Sequence, residues 1–162
     1  MATMGEDTRS TIVLVVCCTL IIAAAAALGW SGDDILGLWN NEERDGIIEI
    51  FKCREDYCGR IVWAKEPTYP ADDKMGRAGQ PRLDDNNPSP GLRTRPIIGL
   101  QIMNDFVFDG DNGWKEGTVY DPKNGRTYSG KVTLVSPNEL RLRGYVLFSF
   151  FGRTTIWTRL EH

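Results

Sequence analysis

Histidine is almost missing from this chain: the single one, His162, is the last of 162 residues. That takes away the usual base for a serine or cysteine nucleophile, and it leaves no imidazole to complete a zinc site with the cysteines. There is no Gly-x-Ser-x-Gly elbow and no phosphate-cradling glycine loop, so the inventory for catalysis is poor and no enzymatic activity is expected. Positive charge is not in excess either. With 19 Lys and Arg against 22 Asp and Glu the formal net charge is -3, which sets up no long-range attraction to nucleic acid. Helical periodicity is lacking from residue 28 onward, which points the folded part toward an all-β architecture.

What is present begins with an apolar leader. Residues 12–28 carry no charge, follow a short polar head containing Arg9, and end in a run of alanines. Ala25 and Ala27 put small side chains at the positions a signal peptidase inspects, so residues 1–27 are expected to be a signal peptide with cleavage near Leu28. A retained membrane anchor is the alternative, and in that case the segment is the only membrane contact; spans usually need about 20 residues. Residues 28–162 then form a single domain. Cys17 and Cys18 lie within the apolar run as filler, leaving Cys53 and Cys58 as an even pair in an exported chain. Such a pair reads as a disulfide.

Strand-like segments fall at residues 36–43, 47–53, 59–64, 97–103, 114–120, 126–135, 139–147 and 153–159. Alternation is clearest where Leu140, Leu142 and Val146 interleave with Arg141, Arg143 and Tyr145, the pattern of a strand with one face in a core. Turn chemistry separates the segments. Asp121-Pro122-Lys123-Asn124-Gly125 supplies a proline for negative φ and Asn-Gly for positive φ, and Ser136-Pro137-Asn138 marks the next reversal. Eight strands joined mainly by short turns remove their vulnerable edges best by closing into an antiparallel up-and-down barrel. The staple between Cys53 and Cys58 closes so small a loop that it contributes only about 2 kcal/mol in the chain-entropy account, and serves chiefly to fix register.

Residues 65–96 interrupt the pattern. Six of the eight prolines fall here, with Gly76, Gly79 and Gly91 and little apolar periodicity. A loop of this length in a small domain is usually a lid, a binding loop or a disordered insertion.

Gly37-Leu38-Trp39 opens the first strand and Trp157-Thr158-Arg159 closes the last. This resembles the lipocalin and calycin pattern, which implies that Gly37, Trp39, Trp157 and Arg159 are structural, the arginine covering the tryptophan at the barrel floor. A wider resemblance runs through Cys58-Gly59-Arg60-Ile61-Val62-Trp63, Asn87-Pro88, Arg95-Pro96-Ile97-Ile98-Gly99-Leu100, Tyr120-Asp121-Pro122, Asn124-Gly125 and Thr127-Tyr128. It continues through Leu142-Arg143-Gly144-Tyr145 and Gly152-Arg153-Thr154. In order and spacing the chain resembles domain of unknown function 2147, small exported bacterial proteins thought to form a calycin-like barrel. The apolar stretch Leu147-Phe148-Ser149-Phe150-Phe151 departs from that pattern.

Arg60, Arg95, Arg143 and Arg153 carry planar donor forks suited to carboxylate or phosphate, and with Asp85, Asn87 and Tyr128 they form the candidate ligand-binding set. Internal pairing with Asp84, Asp85 or Asp121 is the competing account of these arginines. Asp84-Asp85-Asn86-Asn87 and Asp109-Gly110-Asp111-Asn112-Gly113 gather oxygen ligands but read as Asx turns; Tyr120 stands where a calcium loop starting at Asp109 needs its glutamate. No metal or cofactor is expected. The leading expectation is a periplasmic or envelope module that binds a small apolar or amphipathic anionic molecule, with residues 65–96 as the lid. The alternatives are a side-chain-filled barrel that displays loops to an envelope protein, as an inhibitor or interaction module, and an acid–base enzyme using Asp84, Asp85 or Asp121.

Overall fold

The computed structural model describes residues 29–147 and 152–160. Eight strands follow in chain order: β1 (Gly37–Asn40), β2 (Gly46–Cys53), β3 (Asp56–Ala64), β4 (Gln101–Phe108), β5 (Gly113–Asp121), β6 (Arg126–Ser136), β7 (Glu139–Tyr145) and β8 (Gly152–Arg159). Each pairs antiparallel with its neighbour, and β8 returns to β1 to close the barrel, with Trp39 opposite Arg159 and Asn40 opposite Thr158. The leader read at residues 1–27 and four residues of the apolar stretch, 148–151, lie outside the described residues.

Alternation sets what fills the interior. Ile48 and Ile50 on β2, Val132 and Leu134 on β6, and Leu140 and Leu142 on β7 are buried, while the residues between them are more exposed. Two bulges bring Phe106 into the centre. Asp105 and Glu116 adopt positive φ (58° and 65°), and the register of β3 with β4 and of β5 with β6 shifts beside them. The Phe106 ring then lies so close to Gly117 and Gly130 that a Cβ at either would sit 2.4 or 2.5 Å from a ring carbon. Glycine is required at both positions by this approach. With Met103, Trp114, Leu134 and Leu140, Phe106 makes one end of the barrel a solid core.

That end is also sealed from below. A 3-10 turn, Gly32–Ile35, is held by a capping box on Ser31 and buries Ile35. The Trp39 indole donates to the Ile35 carbonyl at 2.9 Å, and the Arg159 guanidinium lies 4.2 Å from the Trp39 ring. Arg159 also donates to the carbonyls of Asp34, Leu36 and Pro137. Burial lowers its pKa, so this cation holds its charge through the carbonyls and the ring around it. The Cys53–Cys58 disulfide joins β2 to β3 at the same end.

Several element limits differ from the sequence reading: β3 starts three residues earlier, at Asp56, β7 stops at Tyr145, two residues short, and β4 and β1 shift as follows. The fourth strand starts at Gln101 and runs to Phe108, four residues later than expected at its start. Ile97–Leu100 forms a turn instead, with Gly99 at φ 88° and the Leu100 amide donating to the Ile97 carbonyl. The first strand stops at Asn40 because the Asn41 side chain accepts from the amides of Asp45 and Gly46 and folds the next residues into a turn.

Candidate functional site

Strand direction puts the β1–β2 loop, the long β3–β4 connection, the β5–β6 turn and the β7–β8 connection at the end opposite the seal. There the barrel is open to solvent. A cavity of about 1130 Å³ opens at this mouth, with Ile48, Ile61, Ile102, Val119, Leu142 and Trp157 among its lining residues. Charged residues also line it: Glu42, Glu43, Asp45, Glu66, Asp85 and Asp121, with Lys65, Arg82, Lys123 and Arg153. Tyr69, Tyr120, Tyr128 and Tyr145 complete its polar aromatic lining.

The long connection is an ordered strap. Short bridges pair Thr68 with Pro81 and Leu83 with Pro96. Its anchor is Asp84, which is 0 % exposed. The Asp84 carboxylate accepts from Tyr120 on β5 at 2.6 Å, from Asn87 at 2.8 Å and from Arg95 at 2.8 Å. A buried carboxylate is costly unless partnered, and three donors meet that requirement here. Burial first, then the neighbouring carboxylate, pushes the Tyr120 hydroxyl up to about 12, so it stays a donor throughout the neutral range. A second knot forms where the Arg77 guanidinium stacks 3.7 Å from the Tyr69 ring centroid and pairs with Asp73 and Asp85. The Asn86 side chain then donates to the carbonyls of Pro122 and Lys123, tying the strap to the β5–β6 turn.

A salt bridge crosses the mouth. Lys123 in the β5–β6 turn meets Glu43 and Asp45 in the β1–β2 loop, at 2.5 and 2.9 Å. These connections lie four strands apart around an eight-stranded ring, on opposite sides of the opening. The two carboxylates raise the Lys123 pKa. For Asp45, burial acts upward but is outweighed by hydrogen bonds from Asn41 and Lys123, and the net shift is downward. Arg153 adds a longer bridge to Glu42, at 3.3 Å.

Of the side chains singled out from the sequence, Arg153, Asp85 and Tyr128 line the cavity, and Tyr128 accepts a hydrogen bond from Asn124. Arg95 and Asn87 belong to the Asp84 anchor. Arg60 pairs with Glu49 and covers the Phe51 ring, while Arg143 donates to Thr154; neither is among the cavity's lining residues. The carboxylates considered for acid–base work are all engaged: Asp84 and Asp85 hold the strap, and Asp121 accepts from Lys123 and Asn124 within its turn. The Asp109 carboxylate accepts from the amides of Asp111 and Gly113, the geometry of an Asx turn. Glu42, Glu43, Asp45 and Lys123 are not legible in the sequence as one site. Their turn chemistry was visible, but their meeting depends on barrel closure.

A family model described as "uncharacterized protein conserved in bacteria (DUF2147)" matches residues 37–159, the whole span from the first strand to the last. Among solved structures, protein HP1028 from Helicobacter pylori, described as belonging to the lipocalin family, superposes with a TM-score of 0.65 at 22% identity. The match covers 78% of this chain and 83% of that one. At that identity the likeness establishes the fold: a lipocalin-like closed barrel. No curated protein matches the chain.

Proposed function

We propose, for a chain that belongs to the DUF2147 family of bacterial proteins, that the barrel is an exported binding module which holds one small amphipathic molecule in its open end. The observation that carries this reading is the division of the interior. One end is packed solid around Phe106 and Trp114, yet the other holds about 1130 Å³ of open space. Small-molecule sites typically occupy about 300–1,000 Å³; this half-open space is slightly larger, apolar toward the barrel interior and charged at its rim, a lining suited to an amphipathic molecule. A scaffold that served only to display loops would gain stability by filling the space.

Export to the periplasm or envelope is supported by the uncharged leader and by the Cys53–Cys58 disulfide, a bond that oxidising compartments maintain. The strap works as a fixed wall of the mouth, and the Lys123 bridge as the contact that opens for entry. Its partners are substantially exposed, so breaking it costs little.

Native mass spectrometry of the protein purified from its own cell envelope tests the reading. A bound mass of a few hundred daltons, released by organic solvent, is the expected result. A clean unliganded mass that gains nothing on incubation with an extract of envelope lipids would overturn it.

A further inference from the structure

We infer that the β7–β8 corner of the barrel docks on the surface of a phospholipid bilayer that carries anionic head groups, with the mouth beside the contact. This adds a membrane contact to the one expected at the leader, and it does not depend on the cavity being a ligand site. On the outer face of β6 and β7, Lys131 stands directly opposite Arg143, and Arg141 follows two residues along the same face, opposite Thr133. Like charges directly across a strand pair cost stability, so folding gains nothing from the arrangement. Among the described residues no carboxylate lies within ion-pair distance of Lys131 or Arg141. The one acid on this face of β6, β7 and β8 is Glu139, at the far end of β7 from the mouth.

Apolar side chains accompany these cations. Ile156 on β8 sits opposite Arg141 and is 41% exposed, and Val135 on β6 is 43% exposed. Where β7 ends at the mouth, Val146 and Leu147 are 56% and 85% exposed. Leu147 holds a positive φ of 65°, uncommon outside glycine and concentrated at functional sites. An acidic protein would match the cations but not the bare Leu147. A bilayer matches both, because its head groups attract the cations and its acyl boundary takes the apolar side chains. Arg143 and Arg141 lie two and four residues before the end of β7, roughly 7 and 13 Å along the strand. With the barrel leaning on this side, both reach the head groups while Leu147 enters the boundary. The acids of the neighbouring β1–β2 loop, Glu42, Glu43 and Asp45, are bridged to Lys123 and Arg153, which offsets most of their repulsion. Val146 also lines the cavity, so docking sets the opening next to the bilayer.

The test measures partition of the protein, purified from its own cell envelope, onto vesicles by co-sedimentation. Pure phosphatidylcholine is compared with a mixture containing phosphatidylglycerol. Residues 1–27, where still attached, contribute alike to every comparison. The anionic vesicles should bind about tenfold more tightly at low ionic strength, with the gap closing as salt is added. Lys131→Gln combined with Arg141→Gln should lower binding to the anionic vesicles by about tenfold. Leu147→Asn, a residue that tolerates positive φ, should weaken binding to both kinds of vesicle. Thermal unfolding reports on the fold: losing the Lys131 charge relieves its contact with Arg143, so the midpoint of the double variant should stay level or rise. Equal binding of the parent protein to the two vesicles, or binding untouched by the variants, would overturn the inference. Binding to polyglutamate with none to anionic vesicles would also overturn it, and would assign the face to an acidic protein.

Discussion

The Tyr120 hydroxyl donates to the wholly buried Asp84 carboxylate at 2.6 Å, joining a strand of the barrel to the middle of its longest connection. Nothing else in the strap is so deeply buried and charged, which makes this contact the one that decides whether the strap holds its place. Tyr120→Phe leaves Asp84 with Arg95 and Asn87 but strips one donor from a buried charge. The expected cost is about 2 kcal/mol in urea unfolding, the range for hydrogen bonds to charged groups. Limited proteolysis should cut the variant first within residues 65–96. Unchanged stability would mean that water replaces the hydroxyl at no cost.

The same hydroxyl predicts an alkaline limit. Tyr120 and Tyr57 are both pushed up to about 12 from an ordinary 10, burial being the main cause, with Asp84 and Asp33 respectively adding to it. A raised pKa means that the folded form holds its proton more tightly than the unfolded form. The stabilisation is therefore complete below pH 10 and is lost as pH climbs toward 12. Unfolding free energy measured against pH should fall across that window, and less steeply in Tyr57→Phe and Tyr120→Phe. A flat profile would contradict the prediction.

Phe106 and Gly130 offer a packing test. Gly130→Ala drives a methyl into the ring and should cost about 1–3 kcal/mol. Phe106→Leu opens space at the same spot, so the double variant should be more stable than the two separate losses added together imply. Thermal or urea unfolding of the four proteins measures the coupling. Simple additivity would mean that the ring moves aside freely.

Lys123→Ala separates the bridge from the fold. Because the pair is largely exposed, the change in stability should stay below about 1 kcal/mol. With the bridge gone, a dodecanol probe should enter and leave the cavity faster than in the parent protein, as stopped-flow binding would show. Unchanged rates would overturn the reading of the bridge as the contact that opens for entry.

Much of the barrel is legible where the residues speak locally. Leu140 and Leu142 alternate with arginines, the Asn-Gly turn names its own geometry, and Gly37-Leu38-Trp39 with Arg159 marks the ends that meet. The start of β4 is hidden because Ile97-Ile98-Gly99-Leu100 is apolar enough to look like a strand while Gly99 bends it into a turn. Among the candidate arginines, Arg60 falls between the buried Gly59 and Ile61, so its outward position was readable from alternation alone. The role of Asp84 was not readable. Four acidic or amide residues in a proline-rich stretch look solvated until Tyr120 arrives from a distant strand to bury one of them. The Lys123 bridge is hidden for the same reason: its partners are 80 and 78 residues away in sequence.

Phe106 and the glycines beneath it settle where this polypeptide earns its stability and where it is free to change. On β6 the residues Val132 and Leu134 belong to the packed foundation, whereas Tyr128, a few positions earlier on the same strand, borders the open chamber. On the proposed reading, side chains near the rim can change which molecule the chamber holds while the lower storey goes on specifying the same architecture.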